Sequence, residues 1–166
     1  MAPLSRFFPL FVLAASVGVL GAALLSQYWG GLAPCELCLK ERWPWAAAIA
    51  VAAVAAASGS ARALPRVALI LAAIFAVGSA VAFYHVGVER HWVPGPAACT
   101  AFGGTADSLA ALRAQLLNQL PVRCDRPAWS LWGVSLAGWN LVASLAMTGI
   151  SLGVFTQLRS APRGAM

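Results

Sequence analysis

Residues Val67 to Val88 read VALILAAIFAVGSAVAFYHVGV, 22 consecutive positions without Asp, Glu, Lys or Arg. A helix needs roughly 20 apolar residues to cross about 30 Å of hydrocarbon, so this stretch can span a bilayer. Two others match it: Phe7 to Trp29 with 23 uncharged residues and Leu131 to Phe155 with 25. A fourth is shorter. The 19 uncharged residues between Arg42 and Arg62 begin with Trp43-Pro44-Trp45 and end in Ser58-Gly59-Ser60, which leaves a short span from Trp45 to Ser58.

Composition agrees. The 166 residues are 61% hydrophobic and 10% charged, with a mean hydropathy of +0.79, whereas a soluble domain is about 25% charged. A typical soluble globule and a disordered chain are both excluded, and four cysteines are too few for a disulfide-stapled miniprotein. Buried soluble helices would need more polar covering than this chain has; helices facing lipid need none. The expected fold is therefore an all-α integral membrane protein of one domain, residues 1–166. It is a four-helix transmembrane bundle with spans at 7–29, 45–58, 67–88 and 131–155 and loops at 30–42 and 89–130. Within the second loop, Leu109, Leu112, Leu116, Leu117 and Leu120 share one helical face between Asp107, a cap, and Pro121, a stop. That segment is too short to cross and is expected to be an interfacial helix. The first span resembles a secretory signal, with Arg6 as its basic region, but its apolar run exceeds the roughly 7–15 residues of such signals and reads as a retained anchor.

Charge suggests an orientation. The termini and the connector after the second span carry Arg6, Arg62, Arg66, Arg159 and Arg163 with no acidic residue, whereas the other side mixes six basic and five acidic residues over longer loops. Dense positive charge on short segments marks the cytoplasmic side, so both termini are expected there. All four cysteines, Cys35, Cys38, Cys99 and Cys124, fall in the two opposite loops. Cysteines confined to one face suggest an oxidising compartment, in a bacterium the periplasm.

The first loop ends in Pro34-Cys35-Glu36-Leu37-Cys38-Leu39-Lys40-Glu41-Arg42. Pro34 suits a first helical turn, so Cys35 and Cys38 are expected near a helix N-terminus, on one face and able to bridge. The helix start, Lys40 and Arg42 all favour a thiolate at Cys38, the candidate electron donor. Arg42 is a fixed cation that can also bind a carbonyl oxygen of an electron acceptor; Lys40 reads as solvent-facing. A lone C-x-x-C is only half of a zinc site, with no second such motif or His pair beside it, so no metal is expected. Leu39 stands where c-type haem attachment would need His. In the second loop, glycines and prolines around Cys99 suggest an accessible sulfur. Cys124 lies in the hydrophilic Arg123-Cys124-Asp125-Arg126, just before Pro127, Trp129 and Trp132 form an aromatic belt. Thiolates attack disulfides through mixed intermediates, so two pairs in facing loops can relay electrons.

Cys35-x-x-Cys38 followed by Glu41-Arg42, a long second loop with Cys99 and Cys124, and Tyr84-His85 ending the third span resemble the bacterial disulfide bond formation protein B, or DsbB, family over nearly the whole chain. The resemblance implies a protein-dithiol:quinone oxidoreductase of the bacterial inner membrane. A reduced periplasmic thioredoxin-fold protein like DsbA would attack the Cys99–Cys124 disulfide at Cys99, and Cys124 would attack Cys35. Cys38 would then pass charge to a quinone, ubiquinone or menaquinone, beside Arg42, with His85 near the quinone head. Membrane lipid is the other expected partner, and no nucleic acid is. The alternative is a membrane scaffold whose cysteines form static bridges, which would show no turnover.

Overall fold

A computed structural model describes residues 3–96, 99, 109 and 122–160, and four long helices lie among the described residues. They are α1 (Pro3–Tyr28), α2 (Glu36–Ser58), α3 (Leu64–Glu89) and α4 (Leu136–Ser160), with a small hairpin of β1 (Ser130–Leu131) and β2 (Val134–Ser135) before the last. Three stretches, Phe7–Tyr28, Leu64–Glu89 and Leu136–Ser160, are long and apolar enough to cross a membrane. The chain is a multi-pass helical membrane protein. Its first two turns of α2 carry Glu36, Lys40, Glu41 and Arg42, which confines the apolar part of that helix to the residues after Arg42. The interfacial helix expected at 108–120 lies outside the described residues, Leu109 apart.

The bundle turns apolar side chains outward, which lipid tolerates, and buries a few small polar ones within its apolar core. Phe7, Leu10, Phe11 and Val17 on α1 and Val142 and Leu145 on α4 are exposed, whereas Ser16, Ser144 and Ser151 are buried. Small side chains let membrane helices approach closely, because dispersion rather than the hydrophobic effect holds them together. The buried face of α2 follows this rule, with Ala48, Ala52 and Ala55 one turn apart below Trp45. Phe8 and Val12 of α1, Ala68, Leu71 and Phe75 of α3 and Met147 of α4 complete the core. Trp45 meets Phe75 edge to face, with ring centres 5.2 Å apart.

The second helix starts at Glu36, beside the cysteines where the sequence places a helix N-terminus, and runs through Pro44 into the expected span from Trp45. A proline inside a helix loses a hydrogen bond and crowds the preceding turn. Its ring is accommodated here by α3, where Gly78 presents no side chain. A Cβ on Gly78 would lie 3.1 Å from Pro44 Cβ and 3.5 Å from Ser144 Oγ, so α2, α3 and α4 all converge on that hydrogen atom. Gly78→Leu should therefore destabilise the bundle by about 1–3 kcal/mol, the usual cost of overpacking, seen as a lowered unfolding midpoint in detergent; an unchanged midpoint would contradict this convergence.

Contrary to the sequence expectation, the uncharged run from Leu131 begins as a hairpin, and its helix starts only at Leu136. Trp132 (φ 52°) and Gly133 (φ 77°) both adopt left-handed backbone between β1 and β2. That pair of positive dihedrals matches the two-residue turn that suits the twist of a hairpin. The hairpin delivers Ser135 to the start of α4, where its hydroxyl accepts the Gly138 N–H at 3.1 Å and caps the helix. Trp29, Trp43, Trp92, Trp129 and Trp132 are all exposed at the cysteine-bearing end of the bundle.

Candidate functional site

Cys35 is the N-cap of α2, in extended backbone (φ −76°, ψ 172°), and Pro34 stands before the cap rather than in the first turn. The Cys35 sulfur takes the place of a capping hydroxyl and accepts the Cys38 N–H at 3.3 Å. Cys35 and Cys38 are free thiols with their sulfurs 3.0 Å apart. The two sulfurs share one hydrogen bond, and Cys35 also faces His85. The Cys38 thiol beside it, with smaller help from His85, lowers the Cys35 pKa against the opposing effect of burial. Lys40 is exposed and pairs with Glu36 at 3.3 Å, away from both sulfurs.

His85, on the last turns of α3, is buried against this pair, with Nε2 3.6 Å from Cys35 Sγ. Its other nitrogen is held. Nδ1 donates to Glu41 Oε1 at 2.7 Å, and Glu41 Oε2 accepts from Asn140 Nδ2 at 2.8 Å. Asn140 in turn accepts the Trp45 indole N–H at 2.8 Å, so one carboxylate ties α2 to both α3 and α4. On the far side, Glu89 Oε1 lies 4.0 Å from His85 Nε2, and the Ser135 hydroxyl donates to Glu89 Oε2. Of these groups, Asn140, Glu89 and Ser135 had escaped the sequence reading. Two signals were available: Glu89 follows His85 by four positions, one helical turn, and Asn140 is the one amide in the uncharged run 131–155. The lone C-x-x-C also has a third donor beside it, supplied by α3: the donor atoms of Cys35, Cys38 and His85 lie within 4.8 Å of one another.

The outer pair is bonded, Cys99 to Cys124. Cys99 is only 2% exposed, which corrects the expectation of an accessible sulfur in a flexible setting. The glycines and prolines near it do not decide its burial. Both outer cysteines pack in one apolar cluster with Cys35, Leu37 and Val88, and Cys38 lies against it. Tyr84 fastens the incoming loop by donating to the Pro94 carbonyl at 3.0 Å. Beside Cys124, Arg123 Nε donates to Asp125 Oδ1 at 2.8 Å, and this partner holds the Asp125 carboxyl down to about 2. His91 is exposed on the loop surface.

A cavity of about 380 Å³ lies on the opposite side of Cys38. Val19, Leu20 and Ala23 of α1 and Leu136, Trp139 and Ala143 of α4 form apolar walls, and its polar edge is Cys38, Glu41, Arg42 and Asn140. It exists because α1 packs along α2 and α4 packs along α3, with little contact between α1 and α4 themselves. Arg42 is fixed at its mouth by donating to Gln27 Oε1 at 2.7 Å. Cys35 and His85 do not line it.

A buried disulfide packed on a dithiol, at the end of an apolar helical bundle, defines a membrane protein of thiol–disulfide exchange. The chain belongs to the DsbB family, whose model, described as disulfide bond formation protein DsbB, matches residues 5–154. A disulfide bond formation protein B of Stutzerimonas stutzeri (strain A1501) is 29% identical over 150 residues, covering 86% of this chain and 91% of its own. An uncharacterized protein RP370 of Rickettsia prowazekii (strain Madrid E) is 27% identical over 141 residues, covering 83% of this chain and 80% of its own. No solved structure matches the chain. Family membership gives this thiol oxidoreductase a role in disulfide bond formation.

Proposed function

We propose that the chain reoxidises a periplasmic thioredoxin-fold dithiol oxidase like DsbA and passes the two electrons to a membrane quinone. In this reading the cysteine end faces the periplasm and both termini face the cytoplasm. The observation that carries it is the position of the inner pair. Cys35 packs on the outer disulfide, and Cys38 forms the wall of an apolar cavity that also holds Arg42.

Each exchange conserves one disulfide. A partner thiolate attacks Cys99, breaking its bond to Cys124; the Cys124 thiolate attacks Cys35 of a Cys35–Cys38 disulfide and releases Cys38 as thiolate. The second partner thiol then resolves the mixed disulfide at Cys99, and Cys99 displaces Cys35 from Cys124. The outer disulfide is restored and the inner pair is left as a dithiol, which is the distribution of bonds described above. His85, with its proton on Nδ1 held by Glu41, turns a bare Nε2 towards Cys35 and can take that thiol's proton.

The cavity residues fit a quinone. Ala, Leu, Val and Trp side chains suit a ring and tail, and Arg42 and the Asn140 amide offer donors to carbonyl oxygens. When bound, ubiquinone or menaquinone supplies an acceptor for two electrons and two protons. The weak contact between α1 and α4 leaves a lateral way in from lipid.

Purified protein mixed with a reduced thioredoxin-fold dithiol and a soluble quinone analogue should bleach one quinone for each partner disulfide formed. No bleaching above background would leave the scaffold reading in its place. Arg42→Ala should raise the quinone KM by about tenfold or more, since a hydrogen bond from a charged donor is worth about 1.5–3 kcal/mol, while disulfide exchange with the partner keeps its rate.

A further inference from the structure

We infer that the reduced inner pair, together with His85, forms a binding site for a thiophilic divalent cation such as Zn²⁺. Three donors of the types zinc prefers, two thiol sulfurs and one imidazole nitrogen, come within 4.8 Å of one another. Zn–S bonds of about 2.3 Å and Zn–N bonds of about 2.0 Å at a tetrahedral angle separate sulfur from nitrogen by roughly 3.5 Å. Cys35 Sγ and His85 Nε2 are already 3.6 Å apart. The sulfurs, at 3.0 Å, would open by less than about 1 Å to reach the corresponding S···S separation, a small side-chain rotation.

The imidazole is oriented as a ligand should be. A metal-bound His usually donates its other N–H to a carboxylate, which fixes the tautomer and raises the basicity of the ligating nitrogen. Glu41 does this to His85 Nδ1 at 2.7 Å, and Glu41 is itself anchored by Asn140. Three protein donors leave a fourth position to water, the pattern of an open rather than a closed zinc site. Binding involves no electron transfer: each thiol that ligates loses its proton to solvent as its sulfur bonds the metal. An oxidised Cys35–Cys38 bridge has no thiolate to offer, so the site exists only in the dithiol state. The cation would therefore hold the pair reduced and stop it from passing electrons on. The inference rests on the cycling of the inner pair through the dithiol state proposed above, but needs no quinone.

Co²⁺ is the probe, because thiolate-to-cobalt charge transfer absorbs in the near ultraviolet and reports sulfur ligation directly. Anaerobic titration of the dithiothreitol-reduced, desalted full chain in detergent should give this band with one Co²⁺ per chain, displaced by Zn²⁺ and removed by a chelator. The same protein with its inner pair oxidised should give none, a control that requires no variant. Cys35→Ser and Cys38→Ser should each weaken binding severely. Glu41→Gln, which moves the imidazole proton to Nε2, should weaken it about 10–100-fold. Absence of the band in the reduced protein, an equal band in the oxidised protein, or unchanged affinity in Glu41→Gln would each overturn the site. None of these readouts depends on quinone turnover, so a protein inactive towards quinone can still bind cobalt, and the converse.

Discussion

Cys38→Ser should oxidise a single equivalent of partner dithiol and then stop. The outer disulfide does not need Cys38: Cys99 and Cys124 are bonded to each other and can accept two electrons from a partner once. Restoring that bond requires a disulfide at the inner pair, which Cys35 alone cannot form. Steady-state quinone reduction should fall by roughly three orders of magnitude or more, the usual consequence of removing one member of a set that acts as a unit. Two measurements on one sample separate the steps. Titration of partner thiols counts the first equivalent, and quinone absorbance follows the turnover that should be missing. Sustained bleaching above about 1% of the wild-type rate would show that electrons leave by a route other than Cys38. A static scaffold would fail differently, leaving even the first equivalent of partner dithiol unoxidised.

The parts of this molecule that the sequence made legible are those written in contiguous residues. Three uninterrupted apolar runs correspond to the three helices long and apolar enough to cross a membrane, and only with the shorter α2 counted as a further pass does connectivity put all four cysteines at one end of the bundle. The start of α2 beside Cys35 is legible from Pro34 and the cysteine spacing, but its unbroken passage through Pro44 is not. Whether a proline ends a helix or continues it depends on what faces its ring, and here that is Gly78, 34 positions away. Burial of Cys99 was misread for a similar reason. Local composition reports backbone freedom, whereas burial was decided by Leu37 and Val88 from two other helices. Apart from Glu89 one turn on, the environment of His85 is non-local: Cys35 and Glu41 lie 50 and 44 residues away, and no spacing rule connects them. Arg42 was legible as a cation near Cys38. Its fixing by Gln27 was not, since the contact crosses between helices.

Glu41→Ala should cost about 3–5 kcal/mol of folding stability, the range seen when one member of a buried charged or hydrogen-bonded pair is removed. Both carboxylate oxygens are in use, one by His85 and one by Asn140, so truncation strands a buried donor on α3 and a half-buried one on α4. The loss should register as a shifted unfolding midpoint in mixed micelles, and a change below about 1 kcal/mol would mean that the network does not hold the bundle. A second alanine identifies the cause. With Glu41 already gone, His85→Ala should cost less than in the wild type, leaving a coupling energy of about 1–3 kcal/mol. Glu41→Gln tests the same contacts by substitution rather than loss. Its amide oxygen can still accept from Asn140, which cannot flip without taking its own oxygen away from Trp45. The amide NH₂ must then face His85 Nδ1, which becomes an acceptor if the ring carries its proton on Nε2 instead. Stability should fall by only about 1 kcal/mol, and the ¹⁵N shifts of the two ring nitrogens should exchange. Retention of the wild-type tautomer in Glu41→Gln would show that something other than this carboxylate orients the imidazole beside Cys35.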